Sequence, residues 1–334
     1  MFKNYDEAIS QLRKEIDDLK KTTTADLLMQ HGKIAETVIY IKNNLSDYIK
    51  QMLSTINFTK EIDDIISEAL TSSVIFPDVI DKKVNFQKNV FEGVEIKAVR
   101  NKELNISYIV MKINKRFKPH VNFTNGTNAN PYDNHKSVID YMQTANKEIA
   151  INAGLRGVTA KDGISHIEEN TGNYEGFYIL CIAENGTMVA VDKTYKASQI
   201  VNMGFRDCIT IWSPIIEDGK FFDPLTMSSA DKASENYDYI FLQRHPRQIV
   251  GTLEDGSYIV ISVDGRMVGE MGATFDDLKQ IVSDEGCVSA YNLDGGASTQ
   301  TVIGKHLINR RLSESRTIGT VITFESGVCN NESC

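Results

Sequence analysis

With 334 residues, 41% of them apolar, the chain is long enough for one large domain or two smaller ones around a real core. A formal charge of −9 argues against general nucleic-acid binding, yet a local basic pocket for an anion can coexist with an acidic surface. No apolar run approaches the roughly 20 residues that span a bilayer, and the charged N-terminus has no apolar signal core, so neither membrane insertion nor secretion is expected. Five scattered cysteines, without Cys-x-x-Cys or zinc spacing, fit reduced thiols made in a cytosol.

Residues 1–72 differ from the rest, with one glycine (Gly32) and no proline. Ile9, Leu12, Ile16 and Leu19, then Ile34, Val38, Ile41, Leu45, Tyr48 and Met52, recur at heptad spacing, as do Ile62 and Ile66. One continuous helix of this length would reach on the order of 100 Å at about 1.5 Å per residue. The spacing predicts a coiled-coil stalk, and Ile and Val at both seam positions favour a homotrimer. The competing reading is a helical hairpin turning at Gly32.

Residues 73–101 read as a linker or small β junction, residues 102–326 as the main domain, and residues 327–334 as a flexible tail. Alternation from Ile106 to Ile113 predicts an entering strand. Ser137-x-x-Asp140 predicts a capped helix through Lys147, followed by a strand over 149–152. Residues 157–172 read as a polar loop. A hairpin is expected around Glu184-Asn185-Gly186, and further strands over 208–212 and 257–263. Thr274-x-x-Asp277 opens a second capped helix, and strands over 288–293 and 320–324 close the chain. Strands follow one another with few helices between them, so the fold class is α+β with a mixed sheet rather than a doubly wound one.

Chemistry-bearing residues gather at the predicted strand ends. Asn292-Leu293-Asp294-Gly295-Gly296-Ala297-Ser298-Thr299 leaves a strand with a carboxylate, two glycines and two hydroxyls. Glycine amides can approach an anion closely, although a tight turn with an exposed Asp has the same spacing. Asp264-Gly265-Arg266 repeats the pattern, with Arg266 as a partner for Asp264 or Asp264 as a plain turn residue. Arg244, His245 and Arg247 crowd three positive groups into four positions. A guanidinium fork suits a phosphate better than a lysine does, but arginines also cluster on plain surfaces. Asn152 offers a donor and an acceptor to a sugar hydroxyl, or ties its own turn. Trp212, the sole tryptophan, could stack a sugar face or fill the core.

Five segments in order resemble the phosphodiester glycosidase family. Asn292 to Thr299 resembles its Asn-Leu-Asp-Gly-Gly-Gly-Ser-Ser, and Ala150-Ile151-Asn152-Ala153-Gly154 its Ala-Ile-Asn-Gly-Gly. Arg244-His245-Pro246-Arg247-Gln248-Ile249-Val250-Gly251 is similar to Arg-His-Pro-Arg-Thr-Ala-Ile-Gly, Val263 to Arg266 to Val-Asp-Gly-Arg, and Gly272 to Leu278 to Gly-Met-Thr-Leu-x-Glu-Leu. The likeness runs from about Ile106 to Phe324. The chain departs from it at Ala153, at Leu155-Arg156 where an aromatic pair is usual, and around Arg316.

The resemblance implies hydrolysis of a sugar-1-phosphodiester. Asp294, Asp264, Arg247 and His245 would be catalytic. Asn152, Arg156, Gly295, Gly296, Ser298, Thr299, Arg311 and Arg316 would bind substrate, with Arg311 and Arg316 competing for one role. No cofactor is required, and a divalent cation between Asp264 and Asp294 is compatible with the residues. A stalk without a signal peptide ahead of such a domain resembles a bacteriophage tail or fibre protein. The expected partners are a phosphodiester-linked surface glycan, a second and third copy of the chain and other tail proteins, with no nucleic acid. The expected location is the virion, with the cytoplasm as alternative. The rival function is a structural or receptor-binding tail protein that binds surface glycan without cutting it.

Overall fold

The computed structural model describes residues 93–326, apart from 102, 127–129, 146, 171–175, 267–269 and 310–315, together with Lys14. The expected stalk over residues 1–72 and the tail over 327–334 therefore lie outside the described residues, Lys14 apart. The described domain holds strands β1 (Val94–Asn101), β2 (Ile106–Ile113), β3 (Phe117–Phe123), β4 (Ile149–Asn152), β5 (Thr159–Lys161), β6 (Ile164–Ile167), β7 (Tyr178–Ile182), β8 (Met188–Asp192) and β9 (Asp207–Ile211). They continue as β10 (Ser213–Glu217), β11 (Lys220–Phe221), β12 (Arg247–Leu253), β13 (Tyr258–Val263), β14 (Cys287–Asn292), β15 (Thr301–Ile303), β16 (His306–Leu307) and β17 (Thr320–Ser326). The α-helices are short: α1 (Val138–Thr144), α2 (Ala197–Asn202), α3 (Ser229–Lys232), α4 (Glu235–Tyr237) and α5 (Phe275–Asp284).

Three sheets form, ordered β1-β2-β13-β12-β14-β10-β11, β16-β15-β4-β17-β3 and β6-β5-β9-β7-β8. The class is α+β, as expected, but the sheets are not mixed. Every ladder within them is antiparallel. Parallel neighbours need long crossovers, usually helical, and the described residues hold little helix.

Side-chain alternation builds two cores on the seven-stranded sheet. Ile109, Met111, Tyr258, Val260, Tyr291 and Leu293 face a core shared with strands of the other two sheets. Tyr108, Val110, Ile259, Ile261, Val263 and Ala290 face the other way, onto α5 through Phe275, Leu278, Ile281 and Val282. Each such side chain contributes roughly 1.5–3 kcal/mol when fully buried. The Thr274–Asp277 capping box that starts α5 is present on both sides, as is the Ser137 cap of α1.

Two expectations are corrected. β1 pairs with β2 over eight positions, from Val94↔Ile113 to Asn101↔Ile106, so these residues belong to the sheet rather than to a separate junction. The expected loop over 157–172 contains the β5–β6 hairpin. Its turn is Asp162-Gly163, both with positive φ (53° and 73°), the geometry that matches the twist of a tight hairpin. No helix among the described residues is long and apolar enough to cross a membrane.

Candidate active site

Strand ends from two sheets converge on one cleft. β4 ends at Asn152, β14 at Asn292 and β13 at Val263, while β12 begins at Arg247 and β17 at Thr320. The turn that follows β14 is tied to its surroundings mainly by backbone bonds. Leu293 N–H donates to Gln248 O (2.9 Å), Asp294 N–H to Ala153 O (3.1 Å) and Gly296 N–H to Pro246 O (2.9 Å). A Cβ on Gly295 would lie 2.6 Å from Pro246 O, so this close approach demands glycine.

The cleft has a volume of about 320 Å³. Its walls include Asp294 as the sole carboxylate among the described residues, four arginines (Arg156, Arg247, Arg266 and Arg316) and two histidines (His135 and His245). Gly295, Gly296, Ser298, Tyr132, Leu155, Trp212 and Tyr239 complete much of the lining. Burial pushes the Asp294 carboxyl above its usual range, opposed by the Ser298 hydroxyl, the Arg316 charge, the Gly295 amide and the Arg266 charge. Ser298 Oγ is buried and makes no well-aligned hydrogen bond, yet it lies close enough to stabilise the ionised form of Asp294.

The basic motif before β12 divides its labour. Arg244 pairs with Asp277 of α5 (2.9 Å) and donates to Gly272 O, away from the cleft chemistry. Arg247 is 1% exposed. Its Nε donates to Ala273 O (3.0 Å) and its Nη2 to Ile240 O (2.8 Å) and Gln243 O (2.9 Å). Burial lowers its pKa to about 10, so it stays cationic at neutral pH. Its fork is committed to three carbonyls, which leaves Nη1 and corrects the expectation of a bidentate phosphate clamp. His245 lines the cleft, stacked on Tyr239 with ring centroids 4.0 Å apart.

Other predicted residues fall elsewhere. Asn152 is fully buried and outside the cleft lining: Nδ2 donates to Asp294 O (2.6 Å) and Oδ1 accepts from Gln300 N–H (2.9 Å). It ties the Asp294 turn rather than its own, and both ends of its amide are used, so it does not meet a sugar. Asp264 is 2% exposed and Thr299 3% exposed, and neither lines the cleft. Arg266 donates to Tyr239 Oη (2.6 Å) and meets His245 Nδ1 at 3.1 Å. The Gly296 amide is taken by Pro246 and the Gly295 amide serves Asp294, so neither is left for phosphate. Arg316 lines the cleft, and its competitor Arg311 lies outside the described residues. Among the described residues no group of three or more His, Cys, Asp or Glu could hold a metal.

Several lining residues carried no sequence signal as site residues. Tyr132 donates to Leu155 O (2.7 Å), while Arg156 lies 5.2 Å over its ring. Tyr239 comes from the π-helical turn Asp238–Leu242. Trp212 does both things expected of it as alternatives, packing beside Phe177 in the core and presenting atoms to the cleft.

The phosphodiester glycosidase family matches residues 134–325, more than half of the chain. The chain belongs to the phosphodiester glycosidase family. A stretch of 185 residues, 53% of this chain, is 29% identical to the SPbeta prophage-derived protein YomE of Bacillus subtilis (strain 168). That stretch spans 27% of the prophage protein's length. Among solved structures, the catalytic domain of zebrafish N-acetylglucosamine-1-phosphodiester alpha-N-acetylglucosaminidase, auto-inhibited by its pro-peptide, superposes with a TM-score of 0.54. The alignment covers 72% of this chain and 86% of that one, and at 16% identity it establishes a shared fold. The turn after β14 lies within the matched residues and forms the part of the cleft that carries the carboxylate.

Proposed function

We propose that the cleft takes a sugar-1-phosphodiester and hydrolyses the glycosidic C–O bond, releasing a sugar and a phosphomonoester. The observation that carries this is the lining: one carboxylate, Asp294, among four arginines in a protein of net charge −9. Such a concentration of guanidinium groups suits an anionic substrate, and one that is already ionised.

An ordinary glycosidase needs a second carboxyl to protonate a poor alcohol leaving group. A phosphate ester leaves as a stabilised anion, so arginines can take over that work. Asp294 then acts as the base. It removes a proton from water as the water oxygen bonds to the anomeric carbon, while the C–O bonding electrons leave with the phosphate. Burial raises the basicity of its ionised form, and general-base assistance is worth roughly 10²–10⁴-fold. Arg316 and Arg156 hold the departing phosphate, and Trp212 and Leu155 give the sugar an apolar face. Asp264 and Asn152 support the strand ends that frame this chemistry.

The biological setting belongs to the same proposal. The heptads over residues 1–72 support a trimeric stalk, and the prophage origin of the relative supports a tail-associated protein acting on a phosphodiester-linked wall or capsular glycan. Hydrolysis in ¹⁸O-labelled water tests the reaction: the label is expected in the sugar. Label in the phosphomonoester would mean P–O cleavage and overturn the proposal. Retention of a glycan without any release would favour a binding protein.

A further inference from the structure

His245 lines the cleft, and the proposed reaction leaves its chemistry unused. It is 8% exposed, and its Nε2 is buried with no hydrogen-bond partner although the residue lines the cleft. Its other nitrogen is not free. Arg266 Nη2 lies 3.1 Å from Nδ1 and 2.6 Å from Tyr239 Oη. A guanidinium has donors and no acceptor, and it keeps its charge in proteins. Nδ1 must therefore accept, which places the imidazole proton on Nε2. The Tyr239 ring, tilted 32° against the imidazole, fixes the plane in which that N–H points.

We propose that His245, locked by Arg266 in the tautomer that carries its proton on Nε2, is a neutral donor to a phosphoryl oxygen of the bound diester, with Arg266 as its positioning residue. The inference rests on the cleft being a phosphodiester site. The groups facing the imidazole favour an anionic acceptor over a sugar hydroxyl. Arg247 at the start of β12 and Arg266 after β13 both bear on it, while Arg244 beside it is neutralised by Asp277. Burial, then Arg247, then Arg266 push its pKa down to about 4, and the Tyr239 carbonyl opposes them weakly without bonding to Nε2. A second proton would have to enter between two fixed cations, so His245 stays neutral across the physiological range. Its role is that of a fixed dipole aimed at developing charge, which needs no reorganisation during the reaction.

The lock is visible without turnover. In the full chain labelled with ¹⁵N, the His245 ring should show a bare Nδ1 and a protonated Nε2, unchanged from about pH 5.5 to 8. Dimethyl phosphate, a diester anion with no glycosidic carbon, should shift the Nε2–H signal, and glucose alone should not. Arg266→Met should free Nδ1 to carry the proton, so that the ring shows a mixture of tautomers, and should raise the pKa from about 4 only in part, because burial and Arg247 still hold it down. His245→Ala should weaken dimethyl phosphate binding about 10-fold or more, the usual loss for a hydrogen bond to a charged group. A proton on Nδ1, or an Nε2–H signal that saturating dimethyl phosphate leaves in place, overturns the proposal. So does an Arg266→Met protein whose His245 remains locked. If dimethyl phosphate shifts the signal but no sugar-1-phosphodiester is cleaved, the donor stands and the hydrolase reading falls. If a sugar-1-phosphodiester is cleaved without any shift, the hydrolase reading stands and the donor falls.

Discussion

Arg247 shows how a motif can be right about location and wrong about work. Its position beside His245 marks the cleft, but its guanidinium holds the carbonyls of Ile240, Gln243 and Ala273 in place. Those carbonyls belong to the segments that carry Tyr239 and α5, so the side chain joins the cleft wall to the helix. Lysine offers one compact charge where three carbonyls need a fork. Each carbonyl left unsatisfied costs about 1–3 kcal/mol. Arg247→Lys is therefore expected to lower thermal stability markedly while the folded fraction keeps most of its kcat. Arg316→Ala, at an exposed position, should leave stability unchanged and raise KM about 10-fold or more. Melting curves and steady-state kinetics on both variants separate a structural arginine from a substrate arginine. The sequence could not make that distinction, because the carbonyls that claim Arg247 come from positions up to 26 residues away.

At the scale of elements, local chemistry was well written in the sequence. The Ser137 and Thr274 caps, the hairpin between β7 and β8 and the alternation of β2 and β13 each depend on neighbours a few residues apart. The β5–β6 hairpin was missed because polar residues mask its alternation, although Asp162-Gly163 is a strong turn signal. Less legible still was the bond between turns. Asn152 at the end of β4 reaches the turn after β14, 142 residues on, and fixes the carbonyl of Asp294. Asn152→Ala removes a donor and an acceptor from a dry interior and should cost about 2–4 kcal/mol, the sum of two modest buried losses. Because the residue holds the turn of the proposed base and lies outside the cleft lining, kcat should fall about 10- to 100-fold with KM little changed. A raised KM at constant kcat would return Asn152 to the substrate site.

Over the whole molecule, the site exists because strands distant in the chain become neighbours. β2 lies beside β13, and β14 lies between β12 and β10, so the turns after β13 and β14 and the motif before β12 share one edge. The family likeness put these motifs in one protein, but spacing along the chain does not say which side chains face the cleft. Asp264 and Asp294 look alike in sequence, each at a strand end before glycine. The fold buries Asp264 outside the cleft lining and gives Asp294 to the cleft. Net charge was similarly silent, since an acidic surface of −9 encloses a cleft with four arginines.

Asp294, the proposed base, is kept in a buried setting at the expense of stability. A carboxyl with a raised pKa binds its proton more tightly in the folded chain than in the unfolded one. Its contribution to stability is present below the unfolded pKa and is lost as pH rises through the folded value. Asp294→Asn keeps the shape and removes both the charge and the base. The measurement is kcat on a sugar-1-phosphodiester, with and without added Mg²⁺ or Ca²⁺, alongside melting curves from acid to neutral pH. The account predicts a loss of about 100-fold or more that added cation does not restore, with a variant more stable than the parent at neutral pH and equal to it in acid. Near-parental kcat would contradict it.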